Sequence, residues 1–229
     1  MKRFYKAAAV EAVERGWQVT LDGRQVRTPA RAPLILPTEV MAAAIAREWQ
    51  DQGDLIDPAA MPFLGLANAA IDHVASARGA FAGGIAAYGE SDLICYRAAE
   101  PEALVARQCK VWDPLLDWAK ARYDIGFELA DGIRHVTQPE PTLRALRAAI
   151  DAFDDFALAA AQPIVTITGS LVVTLALLEK EIDVETAWQS GQLEELYSLE
   201  QWGSDEEAEA RHTRQRTRLE TAAAFLDLR

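Results

Sequence analysis

Hydrophobic and polar positions change period near residue 38. Before it, Trp17, Val19 and Leu21 alternate with polar neighbours, the period-two pattern of a half-buried strand. Asp22-Gly23 is a hairpin turn signal, and Gln25 to Thr28 resumes a strand. Pro29, Pro33 and Pro37 follow, confining any strand there to an edge. From Thr38 the period is helical: Thr38 is the expected N-cap, and Met41, Ile45, Ala46 and Trp49 share a face. Gly53 is expected to end this helix. A second is expected from near Pro58, with Leu64, Ala67, Ile71 and Val74 in a stripe, and Gly83-Gly84 reads as a break or a close contact.

Pro101 suits the first position of a helix carrying Leu104, Val105, Trp112, Leu115, Leu116 and Trp118. Pro114 inside that pattern predicts a kink or a split. Residues 123–138 read as a brief return to extended structure before a helix from Pro141 to Phe153. Phe156 to Leu178 carries no charge over 23 residues, long enough to cross a bilayer. Its Gln162, Pro163, Thr166, Ser170 and Thr174 point instead to a buried core segment. That segment is expected to divide at Pro163, with a buried helix from Ser170 to Lys180. Asp183 is expected to cap a helix running to Trp202. Ser204 and Glu207 have capping-box spacing for a last helix, acidic at its start and basic later. The prediction is an α+β fold: a small β-rich N-terminal domain with one helix, residues 1–57, and a larger, mainly α-helical domain, residues 58–229.

Composition narrows the function classes. The chain has 229 residues, half of them hydrophobic, which excludes wholesale disorder and small disulfide scaffolds. Its 23 Lys and Arg against 35 Asp and Glu leave a net charge of -12, which argues against nucleic acid or an anionic membrane as main partner. The charge is uneven: residues 1–37 carry +4 and the remainder -16. Cys95 and Cys109 form no CxxC pair, and a reducing compartment is expected. The opening MKRFYKAAAVEAVERGW reads as neither a secretory signal nor a transit peptide.

No phosphate loop, GxGxxG or GxSxG occurs. His73, His135 and His212 stand apart without metal-ligand spacing, so no metal or cofactor is expected. Ser170 in ITGSL is either a nucleophile or a small-residue contact between helices. Asp72-His73 is either an acid/base dyad or a solvated pair, since adjacent helical residues point apart. A small hydrolase or transferase using Asp72, His73 and Ser170 is the alternative reading. Cys95, in the apolar run SDLICYR, reads as a buried small hydrophobe. From Glu194 to Glu209 there are seven acidic residues and no basic one. This stretch is either a solvated helix face or an interaction surface, with Glu195 set among Leu193, Leu196, Tyr197, Leu199 and Trp202. Trp49, at the end of an amphipathic helix, is either core or an interface anchor.

Seven segments, in order, carry a family resemblance: LDGRQVRTPARAPLILPT, AIAREWQDQGDLIDPAAMP, LANAAID, YGESDLICYRA, QCKVWDPLLDWA, ITGSLVV and LEELYSLEQWG. Together they resemble the assembly chaperone of the F-type ATP synthase catalytic head, the one that holds the alpha subunit. The resemblance implies a non-enzymatic protein that binds the new alpha subunit and stops its aggregation until it meets beta. Release by competition would need no ATP. Glu195, with Glu194 before it and Tyr197 after it, matches the family's Asp/Glu-Glu-x-aromatic-Gln segment, and Trp49 matches the Trp of its AxEW segment. Glu194, Glu195, Tyr197, Trp49 and Trp202 are thus the expected partner-binding residues. Ser198 departs from the family's usual Gln, and Leu64-Gly65 from its usual Thr-Arg. The expected location is the bacterial cytoplasm, the mitochondrial matrix being that of eukaryotic relatives.

Overall fold

A computed structural model describes residues 1–132, 134–203 and 205–229. It is an α+β fold, with strands mostly near the N-terminus and helices after them. Strands β1 (Ala8–Val13), β2 (Gly16–Leu21), β3 (Arg24–Gln25) and β4 (Ile35–Leu36) form one antiparallel sheet with β2 in its middle. Asp22 and Gly23 turn the chain between β2 and β3 with φ of 48° and 76°, the mirror-image geometry that Asp-Gly favours. Strand β1 lacked a sequence signal because AAVEAV has little β propensity. It forms because Val13 closes on Gly16 across a two-residue turn and the ladder then runs to Ala8 opposite Leu21.

Helix α1 (Glu39–Gln50) packs on this sheet and starts where expected, with Thr38 Oγ1 accepting from Met41 N–H at 3.2 Å. It ends before Gly53. Arg3 donates to the carbonyls of Gln50 and Gln52 at 3.3 and 2.6 Å, so a cation from a distant segment meets the helix C-terminus. A 3-10 turn at Pro58–Ala60 leads into α2 (Pro62–Ala69) and a π-helical turn at Ala70–Val74. Glu48 accepts from Phe63 and Leu64 N–H at 2.7 and 2.8 Å, capping α2 from α1. Burial raises its pKa against the pull of those two donors.

The chain forms two compact units, Met1–Arg78 with Asp155–Ala160 and Ala224–Arg229, and Gly79–Asp154 with Ala161–Ala223. In the first, the ring of Phe225 lies 6.2 Å from Phe63 and 6.5 Å from Phe156, and Thr38 Oγ1 donates to the Leu228 carbonyl.

The second unit is mainly helical, with β5 (Tyr96–Arg97) paired in parallel with β6 (Ala130–Asp131); β6 is the one strand among the described residues of the stretch expected to be extended. Helix α3 (Arg78–Ala86) runs through Gly83-Gly84, and Gly83 is a close contact, since a Cβ there would stand 2.8 Å from Arg147 Nη1. Pro101 takes the N-cap position of α4 (Glu102–Tyr123), one residue before the expected place, and Pro114 does not split that helix. Helix α5 is Glu140–Asp151. Helix α6 (Asp155–Thr168) passes unbroken through Pro163. The break comes at Gly169, whose φ of 64° is open to a residue without a Cβ. Close packing of the flanking Ile164 and Val165, both buried, offsets the one hydrogen bond that Pro163 cannot donate. Every residue of α7 (Leu171–Leu178) is buried, and Trp112 beneath it donates its indole N–H to the Ser190 carbonyl at 2.9 Å. Among the described residues no helix is long and apolar enough to cross a membrane.

Asp92 is fully buried and joins two helix starts. Its Oδ1 accepts from Ile94 N–H at 3.2 Å and its Oδ2 from Val172 N–H at 2.9 Å, in the first turn of α7. Ser170 completes the same cap by accepting from Val173 N–H at 3.0 Å. Burial pushes the Asp92 carboxyl up to about 6, against the pull of these donors.

The single helix expected from Asp183 to Trp202 is two, α8 (Val184–Gly191) and α9 (Leu193–Trp202). Gln192 separates them and donates its side-chain N–H to the Ile167 carbonyl at 2.7 Å. Gly191 is the small-residue contact, because a Cβ there would lie 2.6 Å from Thr168 Cα. Gly191→Ala should therefore cost about 1–3 kcal/mol by overpacking, measured by urea unfolding; an unchanged midpoint would show that α8 can shift freely. The Ser204 cap lies outside the described residues. Asp205 Oδ1 accepts from Ala208 N–H at 2.7 Å at the start of α10 (Glu206–Asp227).

Candidate partner-binding site

Helix α9 carries four of the five expected partner-binding residues, and the structure gives each a different environment. Glu194 accepts from the Gln108 side chain at 2.6 Å, while Gln108, itself buried, accepts from Ala98 N–H. Tyr197 lies under the Arg107 guanidinium, 5.2 Å from the ring centroid. Arg107 also grips both oxygens of Glu200, at 2.9 and 2.7 Å, and holds that carboxyl below its usual range. Trp202, at the last turn, is 85% exposed, the extreme among the large hydrophobic residues described.

Glu195 is tied within the chain. Its Oε1 accepts from Arg211 Nη2 at 2.5 Å, and His212 Nε2 stands 3.0 Å from the same oxygen without hydrogen-bond alignment. The His212 ring meets Trp188 edge-on at 5.5 Å. Glu195 thus pins α9 to α10, while α10 rests on α8. A carboxylate 40% exposed keeps a free side toward solvent, so the geometry allows both fastening and contact.

Beside α9 runs a groove of about 490 Å³. Val111, Leu193 and Leu196 supply apolar surface, and Arg107, Lys110 and Glu200 supply charge. Trp49 belongs to the first unit and is half-buried. Its ring meets Tyr5 edge-on at 5.6 Å, Tyr5 donates to the Trp49 carbonyl at 2.5 Å, and its buried indole N–H has no acceptor among the described residues.

Asp72 and Ser170 of the alternative set each have a structural role. Asp72 accepts from Thr28 Oγ1 at 2.6 Å and Ala30 N–H at 3.0 Å, fastening a loop of the first unit. Exposed His73 follows it in the π-helical turn. Ser170 is a buried cap in the second unit. Cys95 is buried, which pushes its thiol pKa up. Among the described residues no group of three or more His, Cys, Asp and Glu is placed to hold a metal ion.

The family model described as ATP12 chaperone protein matches residues 2–120, just over half of the chain. The chain belongs to the ATP12 chaperone family. Its structure is similar to that of Atp12 from Paracoccus denitrificans, with a TM-score of 0.95 and 41% identity over 99% of this chain and 97% of that one. A single-site mutant of the same Paracoccus protein gives the same agreement. The mitochondrial protein atp12 of Schizosaccharomyces pombe is 24% identical over 220 residues, 90% of this chain and 75% of its own length.

The residues packed around α9 in this ATP12 chaperone are not legible in its sequence. Arg107, Gln108 and Lys110 sit on α4, and Arg211 and His212 on α10. The one signal in the sequence is the switch from acidic to basic residues at Arg211, which the helix dipole by itself also accounts for.

Proposed function

We propose that this ATP12 chaperone assembles the F1 sector of ATP synthase, binding the unassembled alpha subunit and preventing its aggregation, without ATP, until beta replaces it. An unassembled subunit exposes apolar surface that its partner would cover, and such surface aggregates. A holding protein needs aromatic and apolar contacts framed by charge, strong enough to compete with aggregation and weak enough to lose to beta. The observation that carries this reading is the 85% exposed Trp202 at the end of a helix bordering a groove with apolar and charged walls. Glu194, Glu195 and Tyr197 of the same helix, and Trp49 of the first unit, are the other residues proposed to meet the client. The proposed place of action is the bacterial cytoplasm, supported by the higher identity to the Paracoccus protein than to the mitochondrial one.

Light scattering of purified alpha subunit, with and without the chaperone and without nucleotide, tests this. Suppression at near-stoichiometric ratio, relieved by beta, is expected. Trp202→Ala should weaken the complex by roughly tenfold or more, as for a central aromatic anchor, with little change in unfolding midpoint because the ring is exposed. Failure of the wild-type chain to suppress scattering or to co-elute with the alpha subunit would overturn the proposal.

A further inference from the structure

The sheet of the first unit has one open side. Strand β1 pairs only with β2, and no other strand lies along its outer edge among the described residues. The register shows which groups that edge presents. Val13 and Gly16 close the two-residue turn as a hydrogen-bonded pair, so residues 13, 11 and 9 bond inward to β2. Ala8, Val10 and Ala12 turn their N–H and C=O groups outward. The Ala8 N–H is already met by Gln50 Oε1 at 3.1 Å, which marks the side of the strand that faces out. The amides of Val10 and Ala12 have no such partner among the described residues. The six residues include no proline or lysine, and their one charged side chain, Glu11, is held by Gln18 and Thr20 of β2, so the edge has few of the usual guards against pairing.

A groove of about 380 Å³ lies between this edge and α1. Ala8, Val10, Ala43 and Ala46 line it with short side chains, leaving room for those of another chain, and Arg47 and Asp51 lie along it. Arg47 is exposed and its guanidinium has no acceptor among the described residues. Residues 1–37 carry +4 in a chain of -12.

We propose that β1 is a strand-addition site: an extended segment of the client pairs with the outward N–H and C=O groups of Val10 and Ala12, next to the Ala8 N–H that Gln50 already holds. Alternate side chains of that segment, small or straight and apolar, enter the alanine-lined groove, and a carboxylate of the client meets Arg47. Main-chain hydrogen bonds supply affinity with little demand on sequence, and the groove selects side-chain size. An aggregation-prone subunit awaiting its partner is a source of such unpaired extended backbone. The proposal rests on the alpha subunit being the client.

The test mixes purified unassembled alpha subunit with the wild-type chain, Val10→Pro and Ala43→Arg. Proline at residue 10 removes an N–H that takes no part in the β1–β2 ladder, and arginine at residue 43 fills the groove from an exposed helix position. Complex formation is followed by gel filtration and titration, and amide exchange of Val10 and Ala12 is measured free and bound. The expected result is a complex with wild type, at least about tenfold weaker for each variant at unchanged melting temperature, and slowed exchange at both amides. If Val10→Pro does not fold, Ala43→Arg and the exchange measurement decide. A wild-type chain that forms no complex overturns the client reading itself. A wild-type complex, with folded variants binding equally well and no slowing of exchange, overturns the strand-addition site alone. A wild-type dimer that Ala43→Arg converts to monomer would make a second copy the occupant and overturn the client assignment of this edge.

Discussion

Asp92→Ala is expected to lower the unfolding free energy by about 3–5 kcal/mol near neutral pH, enough to threaten a domain whose total stability is about 5–15 kcal/mol. The carboxylate serves Ile94 and Val172 N–H from full burial. Alanine leaves both donors unpaired where water has no ready access, and it removes a negative charge from the N-terminus of α7. Urea unfolding followed by circular dichroism measures the loss. A change below about 1 kcal/mol would mean that these donors find other acceptors. The pH dependence has a definite sign. The folded carboxyl sits at about 6, above its usual 3.8, so the fold favours the protonated form. That contribution is complete below about pH 4 and is lost as pH rises through 6, by up to about 3 kcal/mol. The gap between wild type and Asp92→Ala should therefore be widest near pH 4 and narrow toward pH 7.

Glu195→Lys should abolish most client holding, by roughly tenfold or more in affinity, while costing less than about 1 kcal/mol of stability, because its ion pair is half-exposed. The new ammonium would face Arg211 and His212, and three cationic or potentially cationic groups would press α9 away from α10. The double variant Glu195→Arg with Arg211→Glu separates the two roles. Restored holding would mean that Glu195 acts by fastening α9; persistent loss in a folded double variant would mean that its carboxylate meets the client. A folded Glu195→Lys protein that holds the alpha subunit as well as wild type would remove Glu195 from the site.

Features set by a few neighbouring residues were legible. The Asp22-Gly23 turn and the Thr38 and Asp183 caps form within four residues of chain, so local chemistry settles them. The uncharged stretch from Phe156 to Leu178 was legible as buried because its hydroxyl and amide groups suit a protein interior. Strand β1 was not legible, since its alanines become a strand only by pairing with β2. The break between α8 and α9 was hidden for a similar reason: Gly191 matters because Thr168 lies against it.

The candidate site divides in the same way. The residue types of Glu194, Glu195, Tyr197 and Trp202, and their placement on one helix, follow from the sequence and its family resemblance. By itself the sequence determined the fold class, the ATP12 family likeness and the local turns and caps, because each depends on residue type, order and short-range spacing. Only the tertiary structure decided that Glu195 is held by Arg211, that Asp92 caps α7 from 80 residues away, and that β1 keeps an open edge. Hydrogen bonds and packing act across distances in space, and residues distant along the chain become neighbours only when the core closes around them.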